Sequence, residues 1–343
     1  GRTAFVAGYF TWLSGTTDNA IYPVLFYEYL MHHVAGDDDE AEDDTRGLNK
    51  LNPAPRFFLL AGTALLLSYI NFRGLHIAGK MSVVICIMSM SPFIVMCVLG
   101  IPKVDASRWF ETPLVPSGEV SSGLDSRGWL PLANVGNVLW RPFLNTLFWN
   151  LNDFDSAAHL AGEVDNPGVV FPSAMFLSIF LVFSAYLLPL LVGLGATESE
   201  QSDWREGYFA VIASEIGGRW LGTWTVTAAG ISNLALYQSA LSMGSFQLLG
   251  MAERNMIPKI FATRSRHGTP TYGILLVTFI ICTLVVTDFS SLVEMLNFNY
   301  AVSLLTEYAA FIRLRVTRSD LPRPYRIPFG TLGCVVMLTP AVL

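Results

Sequence analysis

The chain has 343 residues, of which 52% are hydrophobic and 14% charged, with a formal net charge of −6. An average soluble chain carries about 25% charged residues, and this length would make roughly two domains, so there are too few charges to cover them. A soluble protein is excluded and the chain reads as all-α and membrane-embedded.

A spanning helix needs about 20 mostly apolar residues. Reading for such runs gives about nine segments, at 4–33, 56–73, 76–101, 136–164, 169–196, 207–250, 271–288, 290–312 and 327–343. Two apolar cores, Phe57–Ile70 and Tyr272–Thr287, are short and must borrow flanking polar residues. Segments 136–164 and 207–250 are too long for one straight span and are expected to be broken, tilted or continued outside the bilayer. The whole of 1–343 reads as one transmembrane domain. Its larger connections are an acidic extracytoplasmic loop at 34–55, holding seven acids between Asp37 and Asp44, and a second extracytoplasmic loop at 102–135. The chain opens on Gly1 and stops within an apolar run at Leu343, as expected of a fragment.

Lys and Arg collect in cytoplasmic connections. If the first segment runs outward, the inside connections hold Arg73 and Lys80, then Arg254, Lys259, Arg264 and Arg266, then Arg313, Arg315, Arg318, Arg323 and Arg326. The outside connections hold the acidic run and then Glu198, Glu200, Asp203 and Glu206. The base-free connection 164–169 is the exception to this alternation. Cys86, Cys97, Cys282 and Cys334 lie in apolar runs without CxxC or Cys/His spacing, so neither a disulfide framework nor a metal site is expected.

Charge inside a bilayer costs about 2.5–3.5 kcal/mol on insertion scales, which makes acids within spanning segments functional or paired by default. The richest polar cluster is Phe148-Trp149-Asn150-Leu151-Asn152-Asp153-Phe154-Asp155-Ser156, in the middle of the fourth segment. Asn, Asp and Ser side chains compete for backbone hydrogen bonds, so an unwound stretch between two half-helices is expected here. Such backbone survives in lipid only where it lines a cavity or is buried in protein, and broken helices build the midplane sites of secondary transporters. Asp153, Asp155 and Glu163 face no Lys or Arg between Phe143 and Val164, and uncompensated negative charge favours a cationic solute or a proton. The bland alternatives are that Asp155 caps the second half-helix and that Glu163 lies at its aqueous end. Asp155 and His159, four residues apart, would share one α-helical face.

In the first segment Asp18 and Asn19, followed by Tyr22, are the residues least comfortable in lipid, and they are candidates to face the same cavity. Ser232, Ala235, Ser239 and Ser242 form a small-residue stripe better suited to close helix packing than to substrate. Glu294, Asn297, Asn299 and Glu307 decorate the eighth segment without an order of merit. Gly74 to Lys80 fits GxxxxGK, but Met81 stands where a P-loop needs Ser or Thr and no strand precedes it. Nucleotide binding is rejected. There is no HExxH or GxSxG, so no enzyme, no cofactor and no nucleic-acid partner are expected.

Several longer motifs then resemble a known family: Trp12 to Phe26, Asn71-Phe-Arg-Gly74, Trp149-Asn-Leu-Asn152 with Asp155-Ser156, Leu160 to Pro167, Ser245 to Arg254, and Phe311-Ile-Arg-Leu-Arg315. They resemble plant and protist polyamine uptake transporters, in the L-type-like branch of the amino acid–polyamine–organocation superfamily. The resemblance implies a multi-pass plasma-membrane carrier with the LeuT-like inverted-repeat fold, of which this chain supplies helices three to eleven and lacks the first two. It also implies proton-coupled uptake of putrescine or spermidine by alternating access. Asn152, Asp155 and Ser156 would line the amine site, Trp149 and Phe148 would gate it, and Lys80 and Glu163 would be the candidates for proton coupling. The alternative for Lys80 is a side chain snorkelling to the cytoplasmic interface. Loop 34–55 has no cysteine, so no disulfide-linked heavy chain is expected. A neutral or cationic amino acid permease is the alternative, and a non-transporting nutrient receptor a more distant one.

Overall fold

The computed structural model describes residues 2–35, 52–110, 154–199, 207–287, 289–320 and 329–338, and also 143, 144, 147, 148, 150, 204 and 327. Regular structure among these residues is helical, apart from an isolated bridge between Arg264 and Pro270. The first segment is two helices in near continuity, α1 (Arg2–Asn19) and α2 (Ile21–Ala35), broken at Ala20. Next come α3 (Pro53–Phe72), which starts on a proline whose missing N–H costs nothing there, and α4 (Leu75–Gly100). Gly74, at φ 148°, turns the chain between them in a conformation side chains avoid.

The described C-terminal part of segment 136–164 is a ten-residue 3₁₀ helix, Phe154–Glu163, where runs beyond about four residues are uncommon. Residues 151–153, where the chain was expected to unwind, lie outside the described set, as do most of loop 34–55 and most of loop 102–135. Then follow α5 (Pro167–Ala196), α6 (Phe209–Gly217), α7 (Arg219–Glu253), α8 (Thr271–Leu284), α9 (Phe289–Thr317) and α10 (Thr331–Leu338). The overlong segment 207–250 is broken as expected, at Gly218 with φ 90°.

The long helix α7 is the axle, packing against α1, α2, α3, α4, α6 and α8, while α1 pairs closely with α9. The main core joins Trp12, Ile21, Leu67, Tyr237, Leu241 and Ile281 with other buried residues of α1, α2, α3, α7, α8 and α9. A second core, formed by α4, α5, α6 and α7, holds Met96, Val192, Ile212 and Leu221. Polar residues inside are used as glue. The Asn71 amide donates to the Gln238 carbonyl and side chain and to Ser242 at 2.8–3.0 Å, and Gln238 donates to the Leu67 carbonyl at 2.7 Å. The small-residue stripe packs likewise, with Ser242 against α3 and Ser239 against Ser82 of α4.

Two of the connections that the charge alternation groups together meet in space. The Phe72 carbonyl accepts from Thr269 at 2.8 Å, and Phe72 meets His267 edge-on, so the α3–α4 turn sits beside the basic α7–α8 connection. In a separate cluster, Arg108 donates to the Thr197 carbonyl and pairs with Glu198, Trp109 donates to the Leu191 carbonyl, and Lys103 donates to the Ile216 carbonyl.

Among the described residues, 54–72, 75–103 and 167–196 are long and apolar enough to cross a membrane, and Thr271–Leu284 is a shorter apolar helix. Only 11% of the apolar window in 167–196 is buried, and Phe176, Phe180 and Phe183 stand out from the surface. Contiguous exposed hydrocarbon of this extent marks a face made for lipid. The other long helices, α1, α7 and α9, fall short of strict apolarity because they carry buried polar side chains such as Thr11, Gln238 and Ser303. The sequence-based count of about nine segments admits these mixed helices, whereas apolarity alone does not.

Candidate functional site

Asp155 lies at the start of the 3₁₀ helix, half-buried, and the Tyr300 hydroxyl donates to its Oδ1 at 2.7 Å. Tyr300 is buried on α9 and its ring stands 5.7 Å from that of Phe148. Asp155 and Phe148 are therefore both brought against Tyr300. Among the described residues Asp155 has no Lys or Arg partner. Trp149 and Asn152 lie outside the described residues.

The expectation that Asp155 and His159 share a face is corrected by the helix type. At three residues per turn, side chains three apart eclipse and those four apart do not. Ser156 and His159 thus stack together and line a narrow cleft against α1 and α7, with Thr11, Trp12, Gly15 and Gln247 among its walls and a volume of about 10 Å³. Asp155 turns to α9 instead. Trp12 is 7% exposed, and its indole N–H has no partner among the described residues. A Cβ built on Gly15 meets nothing within 4 Å, so this wall has room for a side chain.

One further polar group adjoins Asp155, and the sequence reading had not ranked it. Glu307 on α9 accepts from Ser303, one turn before it, at 3.1 Å and from Thr11 of α1 at 3.3 Å. Thr11 and Ser303 also contact each other, and each has the Ala7 carbonyl within reach as an alternative acceptor, at 3.0 and 3.2 Å. The signal was present as Tyr300, Ser303 and Glu307 at spacings of three and four, one stripe along a helix. Recognising it needed Thr11 and Asp155 opposite.

The remaining candidates are placed elsewhere. Asp18 lies seven residues, or roughly 10 Å of helix rise, beyond Thr11, and accepts from the Tyr22 hydroxyl. Asn19 is fully buried at the α1–α2 break with both amide atoms unbonded among the described residues. Lys80 is exposed in the second turn of α4, a helix packed chiefly on α7, α5, α6 and α3 rather than on the Asp155 group. Glu163 ends the 3₁₀ helix in an ion pair with Arg264 at 2.7 Å, and Glu253 stands 3.8 Å from the same guanidinium. The hydrogen bond to the Glu163 carboxylate holds the pKa of Arg264 above its usual value. Among the described residues no three His, Cys, Asp or Glu side chains are grouped to hold a metal ion.

These features can be set beside known proteins. Residues 1–343 match the amino acid permease family throughout. The chain is 41% identical over 98% of its length to the Polyamine transporter PUT1 of Oryza sativa subsp. japonica, covering 57% of that protein. It is 40% identical over 98% of its length to the Polyamine transporter RMV1 of Arabidopsis thaliana, covering 62%. The Glutamate/serine transporter AimA of Bacillus subtilis is 28% identical over 56% of this chain and 37% of its own. The chain thus spans about three fifths of the length of the polyamine transporters it matches. Lipid-facing apolar helices and a match that runs from the first residue to the last agree: the chain is an integral membrane protein belonging to the amino acid permease family.

Proposed function

We propose that the full-length protein is a secondary transporter that takes up polyamines, such as putrescine or spermidine, across the plasma membrane. The observation that carries this reading is Asp155: a half-buried carboxylate in the first turn of the 3₁₀ helix, oriented by the Tyr300 hydroxyl and lacking a base of its own chain among the described residues. An ammonium group arriving there would supply the missing counter-charge and form a charge-assisted hydrogen bond, while the Phe148 and Tyr300 rings would pack on the methylene chain. The relatives' polyamine specificity supports the same substrate class.

The protein works by alternating access on a LeuT-like inverted-repeat scaffold, with proton coupling, and the 3₁₀ helix is the element that changes shape. A 3₁₀ run inside a spanning segment is a common mark of a hinge. Its far end is tied to the α7–α8 connection by Glu163 and Arg264, which supports an anchoring role for Glu163 over a proton-carrying one. A second reading, an amino acid carrier, draws support from the unpartnered Trp12 N–H at the cleft, a donor suited to a carboxylate and not to an ammonium group. Competition separates the two. Uptake of radiolabelled putrescine by the full-length protein, abolished by excess spermidine and unaffected by leucine or arginine, supports polyamines; the reverse pattern assigns the amino acid reading.

A further inference from the structure

We infer that Glu307 is the group that binds the coupling proton, with the Thr11 and Ser303 hydroxyls as the switch that reports its charge to the α1–α9 interface. This rests on the proton-coupled reading above and names the residue responsible.

A carboxyl group that gains and loses a proton inside a membrane needs partners satisfied in both states. Arg, Lys and backbone N–H groups only donate, and so suit the anion alone; hydroxyls both donate and accept. Glu307 is held by two hydroxyls, Ser303 at 3.1 Å and Thr11 at 3.3 Å. Each has a second acceptor within reach in the Ala7 carbonyl, at 3.2 and 3.0 Å. With Glu307 ionised, the hydroxyls turn their hydrogens onto the carboxylate. With Glu307 protonated, its own O–H donates to one of them, and they turn onto Ala7. Neither state leaves a donor or acceptor stranded, and the change moves hydrogen bonds between an α9 side chain and the α1 backbone. Those two helices are among the most closely paired in the protein, so the switch acts where a rocking motion has to break and remake contacts.

A small polar recess lies next door, with room for about one water. Thr11 belongs both to this cluster and to the cleft, where Trp12 keeps an unpartnered, nine-tenths-buried N–H and where Ser156 and His159 add polar groups. A water molecule in a polar recess needs two to four such partners. Among the described residues, the ionisable groups that face Glu307 are Asp155 from the 3₁₀ helix and Tyr308 on its own helix, while α1 presents hydroxyls. Lys80 and Glu163 lack this arrangement, the first being exposed and the second paired with Arg264.

The test uses full-length protein in liposomes loaded with putrescine. Counterflow of labelled putrescine at equal pH measures binding and exchange, and accumulation against a gradient with acid outside measures coupling. Glu307→Gln keeps the size and both hydroxyl contacts but cannot ionise. It should retain counterflow within about threefold while losing tenfold or more of the pH-driven accumulation. Glu307→Asp should restore accumulation, and Thr11→Val should shift its pH midpoint. Intact accumulation in Glu307→Gln overturns the proposal, as does joint loss of counterflow and accumulation in correctly assembled protein. Should Glu307→Gln not assemble, an unmoved pH midpoint in Thr11→Val overturns it. Wild-type accumulation indifferent to the pH gradient sinks the proton-coupled reading itself. If wild-type protein carries an amino acid and no polyamine, only the substrate assignment fails, and Glu307→Gln is judged on that amino acid.

Discussion

Asp155→Asn is the substitution on which the substrate site stands or falls. Asn keeps the shape and can still accept from Tyr300 at the present 2.7 Å, so packing around the 3₁₀ helix is preserved and only the charge is removed. A hydrogen bond to a charged group contributes about 1.5–3 kcal/mol. At about 1.4 kcal/mol per factor of ten, loss of the carboxylate should raise the Km for putrescine roughly 10- to 150-fold. The half-burial of Asp155 places it away from bulk screening, where a fully exposed pair would contribute at most about 1 kcal/mol. The assay is initial-rate uptake of radiolabelled putrescine over a range of concentrations, in cells expressing the full-length protein with surface amounts matched by biotinylation. Tyr300→Phe is the companion variant. It leaves the charge and removes the hydroxyl that aims it, so its Km should rise less than that of Asp155→Asn. A Km within threefold of wild type for Asp155→Asn would show that the carboxylate does not hold the amine.

Other consequences can be checked separately. Gly15→Leu sends a side chain into open space at the cleft wall, and should slow transport severalfold while leaving the melting temperature of purified protein nearly unchanged. At Gly273 an added Cβ would stand 2.9 Å from the Ser245 carbonyl oxygen, so Gly273→Ala must push α8 off α7 and should cost about 1–3 kcal/mol, seen as a lower melting temperature. The Arg264–Glu163 pair is partly exposed, at 37% and 25% of side-chain surface. A double-mutant cycle of Arg264→Ala and Glu163→Gln should give a coupling of about 1 kcal/mol or less, shrinking with added salt. Asp105, fully exposed, is held below its ordinary pKa of 3.8 by the Ser107 hydroxyl and N–H. Because the folded value is the lower one, this stabilisation is present above the ordinary value and disappears as the pH falls through the depressed one. Ser107→Ala should move the Asp105 midpoint upward in an NMR titration of its carboxyl carbon, and an unmoved midpoint would assign the shift elsewhere.

Much of the scaffold was legible because lipid imposes a simple code. Length and apolarity mark the helices, Gly218 marks the break in 207–250, and the alternation of bases grouped the α3–α4 turn with the α7–α8 connection before any contact was known. The polar cluster at 148–156 likewise announced itself, since Asp and Asn are costly in a membrane. The surroundings of the acid were harder. Asp155 and His159 were assigned a shared face on the assumption of 3.6 residues per turn, and the choice between an α and a 3₁₀ winding depends on what the neighbouring helices offer the freed backbone. Glu307 looked no different from Glu294 while both were only positions on one helix.

What the sequence determined by itself was that the chain is helical and apolar enough for a membrane and which acids stand in its apolar segments without a nearby base in sequence, because both follow from local composition and the cost of dehydrating charge. Which of those acids act together was decided only by tertiary structure. Tyr300 meets Asp155 across 145 residues and Thr11 meets Glu307 across 296, and separations of that size are set by how α1, α9 and the 3₁₀ helix pack, which no local pattern encodes.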